Sequence, residues 1–151
     1  MYGEMAGKTV EEIFGEKLNG ATFFKASTLA STLLLNDGKG HFIATPLPAP
    51  FQWAPIFSFA VNDYNGDGKQ DIMAGGNFFG TTPHEGRYNA IPLATGLGNG
   101  LCKFSTLMLI PVSLSKANGE VRSISTIKLA GNKKGLLMAI NNDSLQLFEY
   151  R

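Results

Sequence analysis

Oxygen-bearing side chains fall at alternate positions in one short stretch, Asp63-Tyr-Asn65-Gly-Asp67-Gly-Lys69-Gln-Asp71. Such a loop suits a hard cation, because Ca²⁺ takes six to eight oxygen ligands and alternating acidic side chains supply several at once. Asp63, Asn65 and Asp67 alternate, Gly68 permits a sharp turn, and Asp71 adds a further carboxylate. Carboxylates packed this closely repel one another unless a cation neutralises them. The same residues are also consistent with a polar hairpin turn, since Asn-Gly and Asp-Gly are turn signals in their own right.

The flanks decide what kind of loop this is. An EF-hand needs a helix on each side and a bidentate Glu at its twelfth position. Counted from Asp63, that position is Ala74, which has no side-chain oxygen. Residues 57–61 alternate and are rich in aromatic and β-branched types, and residues 71–75 are short, apolar and end in glycine. Both runs predict strands, so the loop joins two strands and an EF-hand is excluded.

Further elements follow from the same periodicities. Residues 9–18 place Val10, Ile13, Phe14 and Leu18 at near-helical spacing, with Thr9 as N-cap and Asn19-Gly20 as the stop, which predicts one short packing helix. Strands are expected over 31–35, 41–45, 91–95, 103–110, 121–129, 135–141 and 144–150, about nine or ten in all. Residues 36–40 form the turn of the first hairpin and Gly96–Gly100 that of a later one, and 77–90 form a long loop. The expected class is therefore all-β with one short N-terminal helix. Residues 1–20 form an N-terminal segment and 21–151 the β-region.

Composition bounds the function. The 151-residue chain, 44% hydrophobic, is long enough for one sizeable core. A net charge of +1 with no basic run gives no reason to expect nucleic acid. A single cysteine, Cys102, excludes an internal disulfide. No stretch reaches eighteen uninterrupted apolar residues, so no membrane span is expected. Residues 1–7 have neither the basic nor the apolar region of a signal peptide.

The pattern repeats once. Residues 36–42 match 98–104 with Phe42 on Phe104, and 72–77 match 136–141, at shifts of 62 and 64 residues that place Asp63 opposite Ile127. Units of this length built from four short strands suit a propeller blade. The second copy lacks the acidic residues, so only the first is expected to hold a cation.

These residues resemble the calcium cage of FG-GAP/VCBS β-propeller repeats, with Asn36-Asp-Gly-Lys-Gly-His-Phe42 similar to the hairpin between the two outer strands of such blades. Residues 86–90, 121–124 and 141–145 look like the C-terminal repeats of Bacteroidetes-type VCBS proteins that accompany ASPIC/UnbV domains. The resemblance spans residues 21–150 and implies a partial β-propeller, with a blade end over 21–50, a full blade over 56–110 and an incomplete blade over 121–150. It implies Ca²⁺ held by Asp63, Asn65, Asp67, Asp71 and the backbone carbonyl of Lys69. Asn89 stands where those relatives usually have Asp. The resemblance also implies a secreted, periplasmic or cell-surface location. Two and a quarter blades do not close a ring, so the expectation is either the C-terminal part of a larger propeller or association of several copies.

Other candidates for chemistry are few. Trp53 could stack on a sugar, and Arg87 with Tyr88 could hold an anion or sugar, although packing and loop anchoring are the blander roles for all three. His41 and His84 suggest surface positions. No nucleophile–base pair accompanies the acidic loop, so a non-catalytic module displaying loops to a protein or glycan partner is expected. The alternative is a scaffold segment of a propeller enzyme acting on polysaccharide. That role would need two of the spare acids Asp37, Glu85, Glu120 and Asp143 in one cleft.

Overall fold

The computed structural model describes residues 2–106 and 116–150. Its β-region is three antiparallel sheets. β1 (Thr32–Asn36) and β2 (Phe42–Pro46) form a hairpin. β3 (Ile56–Asn62), β4 (Asp71–Gly76), β5 (Leu93–Gly98) and β6 (Phe104–Thr106) form a four-stranded meander. β7 (Val121–Lys128), β8 (Lys134–Ile140) and β9 (Gln146–Tyr150) form a three-stranded one. The described sheets do not close into a propeller. The part of the predicted 103–110 strand beyond Thr106 lies outside the described residues.

The four-stranded sheet is the middle layer. Successive strand residues face opposite sides, and β4 is buried along its whole length. On one face, Met73 and Leu93 join Val121, Ile124, Leu136 and Met138 of the three-stranded sheet. On the other, Ile72, Ala74 and Ala94 pack with Leu47 and Phe51, and Leu33 of β1 leans on this cluster. The backbone of Gly75 passes so close to β7 that an added Cβ would lie 2.3 Å from Val121 Cγ1.

The repeat expected from the sequence is present in the strand pairing. A register shift separates Ile56 from Ser58 in β3, and another separates Val121 from Ser123 in β7. Counted along the ladders from these bulges, Asn62 pairs with Asp71 as Ile127 pairs with Gly135. The counterpart of Ile127 is therefore Asn62 and not Asp63, a correction of one residue that comes from the longer loop of the first copy, since both first strands carry the same bulge. Gly135 takes the place of the carboxylate at Asp71.

The predicted helix is shorter than its periodicity suggests. A capping box forms, with Glu12 N–H donating to Thr9 Oγ1 at 3.3 Å and Thr9 N–H to Glu12 Oε2 at 2.7 Å. The α-helix α2 (Val10–Phe14) nevertheless ends at Gly15, where φ is +49°, and continues as a 3₁₀ turn over Gly15–Leu18. A separate helical turn, α1, covers Tyr2–Met5. Neither Val10–Phe14 nor Gly15–Leu18 buries a residue, so the expected packing role is not found. Capping, rather than burial, holds this helix.

The β5 strand also departs from expectation. It starts at Leu93 and runs through Gly98, so Gly96 and Gly98 are strand residues rather than turn residues. Their lack of a side chain serves close approach. A Cβ at Gly96 would lie 3.1 Å from both Phe51 Cζ and Ile72 Cγ2, and one at Gly98 would lie 1.9 Å from the Gln70 carbonyl oxygen. The turn itself is Asn99–Lys103, closed by Asn99 N–H donating to Lys103 O at 3.0 Å.

Candidate metal-binding loop and its surroundings

The loop between β3 and β4 is ordered by its own side chains. Asp63 Oδ1 accepts from Gly66 N–H at 2.7 Å and from Asp67 N–H at 3.2 Å, while Oδ2 accepts from Gly68 N–H at 2.9 Å. Asn65 Oδ1 accepts from Asp67 N–H, and Asp67 Oδ1 from Lys69 N–H, both at 2.9 Å. Gly66 and Gly68 both have positive φ, which lets the backbone curl around the Asp63 carboxylate. These bonds, that from Gly68 N–H foremost, hold the Asp63 carboxyl below its usual range.

Asp71 differs from the other three in being fully buried. Its Oδ2 accepts from Tyr64 N–H and its Oδ1 from Gly98 N–H, each at 2.9 Å. Among the described residues no Lys, Arg or His forms an ion pair with it. Tyr64 folds beneath the loop with its ring edge-on to Tyr150 at 5.0 Å, and burial pushes its hydroxyl pKa upward. Lys69, expected to contribute only its carbonyl, sets its ammonium 3.5 Å from Asp67 Oδ2.

Among the described residues, no three His, Cys, Asp or Glu side chains converge as a metal centre. The loop's donors are instead a mixture of carboxylate, amide and backbone oxygens. A carboxylate has about four lone-pair sites, and Asp63, Asp67 and Asp71 use only part of theirs on amides. A buried carboxylate without a countercharge is costly, and a cation at the loop would supply that charge. The residues expected from the sequence to hold a cation, Asp63, Asn65, Asp67, Asp71 and the Lys69 carbonyl, all lie in this loop or at its end, where the four side-chain groups accept from backbone amides.

The other sequence candidates lie elsewhere and do not form one site. Trp53 caps the 3₁₀ turn Ala49–Gln52 and is half-exposed. Arg87 lies over the Phe79 ring at 4.9 Å, and Tyr88 bridges to Phe78 through backbone bonds of 2.7 and 2.9 Å. No hydrogen bond, ion pair or ring contact joins Trp53 to Arg87 or Tyr88 among the described residues. His41 sits against Asp37 in the first hairpin, Nδ1 to Oδ2 at 3.2 Å.

No local sequence pattern marks Glu120, read above as a spare acid, as a structural hub. It is buried and accepts from Phe79 N–H at 2.6 Å, Arg122 Nη2 at 2.9 Å and Asn141 Nδ2 at 2.7 Å. The Asn141 bond is the leading cause of its lowered pKa. The Arg122 guanidinium lies 4.0 Å from the Phe57 ring centroid, so this network ties the middle sheet to the three-stranded one.

No protein-family model matches the chain, and no curated protein or solved structure shows significant similarity to it.

Proposed function

We propose that this chain is a non-catalytic, calcium-binding β-propeller repeat module of a secreted or cell-surface protein, which displays loops to a protein or glycan partner. The observation that carries the reading is Asp71: a fully buried carboxylate closing an acidic loop, with no ion-pair partner among the described residues. The four-stranded meander between two further antiparallel sheets is consistent with blades stacked face to face.

In this reading the cation pins the β3–β4 loop and relieves carboxylate repulsion. Extracellular modules bind Ca²⁺ with dissociation constants of about 10⁻⁴–10⁻³ M. At free calcium roughly tenfold above such a constant, the linked stabilisation is about 1.4 kcal/mol. The alternative, a scaffold segment of a polysaccharide-acting enzyme, needs two spare acids in one cleft. Glu120 is instead engaged with Arg122 and Asn141, and Asp37 with His41.

Calorimetric titration of Ca²⁺ into chelator-treated protein tests the reading, with Asp67→Ala as control. One site in the parent protein and none in the variant is the expected result. A folded protein that gives no heat up to millimolar calcium would reduce the loop to a turn.

A further inference from the structure

The two copies of the strand repeat pack on each other, and the register shows which residues of each play matching parts. Counted from the shared bulge, the pair Phe59 and Ala74 corresponds to Ile124 and Met138, and the pair Ala60 and Met73 to Ser125 and Leu137. Ile124 and Met138 join Ala60 and Met73 in one buried cluster between the middle sheet and the three-stranded sheet. A hydrogen bond pins the same contact, Ile124 N–H donating to Ser58 Oγ at 3.0 Å.

Both halves of that contact recur, exposed, at the outer faces of the molecule. Phe59 stands in the place of the buried Ile124 and is exposed, as is Val61 on the same face. The β1–β2 hairpin side, through Leu47 and Phe51, covers Ile72 and Ala74 but leaves these two β3 side chains outside the cluster. At the other end, Ser125 and Leu137 stand in the places of the buried Ala60 and Met73, the first exposed and the second half-buried. Leu147 pairs with Leu137 as Thr95 pairs with Met73, and it is exposed where Thr95 is buried. Ser123, the counterpart of Ser58, is exposed as well.

We infer that the chain binds a second copy of itself head to tail, with Phe59 of one copy seated on Ser125 and Leu137 of the next. Phe59 N–H then donates to Ser123 Oγ across the contact, as Ile124 N–H does to Ser58 Oγ within the chain. The occupant is a second copy because this chain carries both the seat and the residue that fills it, in the register of a contact it already makes. The two surfaces differ, so the association is heterologous and repeats from copy to copy until a ring closes. It is weaker than the internal contact. Ala139 stands where Gly75 passes β7 with no room for a Cβ, so a second copy is held farther off. The contact uses strand register alone and no residue of the acidic loop, so it stands or falls apart from the calcium reading.

Sedimentation equilibrium of the full chain is the test, run up to about 100 µM, well above a micromolar dissociation constant. The parent protein is expected to form species of two or more copies. Phe59→Glu spoils the inserted residue and Ser125→Glu spoils the seat, and each alone should weaken association by more than about tenfold. Mixed in equal amounts, the two variants should form a two-copy species, because each keeps the surface that the other lacks. Both residues are exposed in the single copy, and near-UV circular dichroism checks that the variants fold. Phe59→Lys and Ser125→Lys replace a glutamate pair that does not. A parent protein that stays monomeric, a single variant that associates like the parent, or a mixture that stays monomeric each overturns the inference.

Discussion

Asp71 and Gly98 are 27 residues apart in sequence and joined by a buried 2.9 Å hydrogen bond from the Gly98 amide to Asp71 Oδ1. With Asp71 Oδ2 held by Tyr64 N–H, one carboxylate clamps the acidic loop to the last residue of β5. Asp71→Asn would turn one of these acceptors into a donor facing an N–H. The expected cost is about 1–3 kcal/mol, read as a lowered midpoint in urea unfolding. A parent-like midpoint would remove the clamp from the account of stability.

The loop and the hairpin approach too closely at Gly98 for any side chain. Gly98→Ala places a Cβ where the Gln70 carbonyl oxygen stands, 1.9 Å away, and both partners are backbone. A loss of about 1–3 kcal/mol is expected from such overpacking. Gly131→Ala is a useful contrast: nothing lies within 4 Å of that Cβ, and only its φ of +69° opposes the change. A chemical-denaturation series on the two variants compares crowding with backbone strain alone.

Glu120 holds three donors from three parts of the chain. Glu120→Ala should cost about 2–3 kcal/mol, in the range of hydrogen bonds to charged groups. Glu120→Ala combined with Arg122→Ala should cost less than the two single changes added together, because the second removes the cation left unpaired by the first. Strict additivity in that double-mutant cycle would mean that the pair is not coupled.

Acid sensitivity follows from two depressed carboxyl groups. Asp63 and Glu120 both lie below their ordinary values in the folded protein, Asp63 through loop amides and Glu120 through Asn141 first. Each contributes stability that is present above its unfolded pKa and is lost as pH falls through the lowered folded value. Stability from these two groups should stay flat from pH 7 to about 5.5 and decline below about 4. Urea midpoints measured across that range check the sign, and Asp63→Asn should flatten the decline.

Removal of calcium should lower the thermal midpoint of the parent protein by a few degrees, given about 1.4 kcal/mol of linkage and about 2–4 °C per kcal/mol for a chain of this size. Asp67→Ala should show no difference between chelator and calcium. A shift of equal size in the variant would place the cation elsewhere.

Local chemistry determined much of this chain. The acidic spacing at Asp63, Asn65 and Asp67, the strands on either side, the N-cap at Thr9 and the hairpin turn after Asn36 all depend on neighbours within a few residues, so periodicity and turn chemistry were enough to read them. The burial of Asp71 was not legible in that way, because it depends on an amide donated from β5. For the same reason Gly96 and Gly98 read as a turn: only when Phe51, Ile72 and Gln70 are folded against them does their missing side chain become a packing requirement in a strand. Glu120 read as a spare acid because its partners Phe79 and Asn141 lie about 40 and 20 residues away. Long-range contacts of this kind form when sheets stack, and no local pattern encodes which backbone amide will meet which carboxylate.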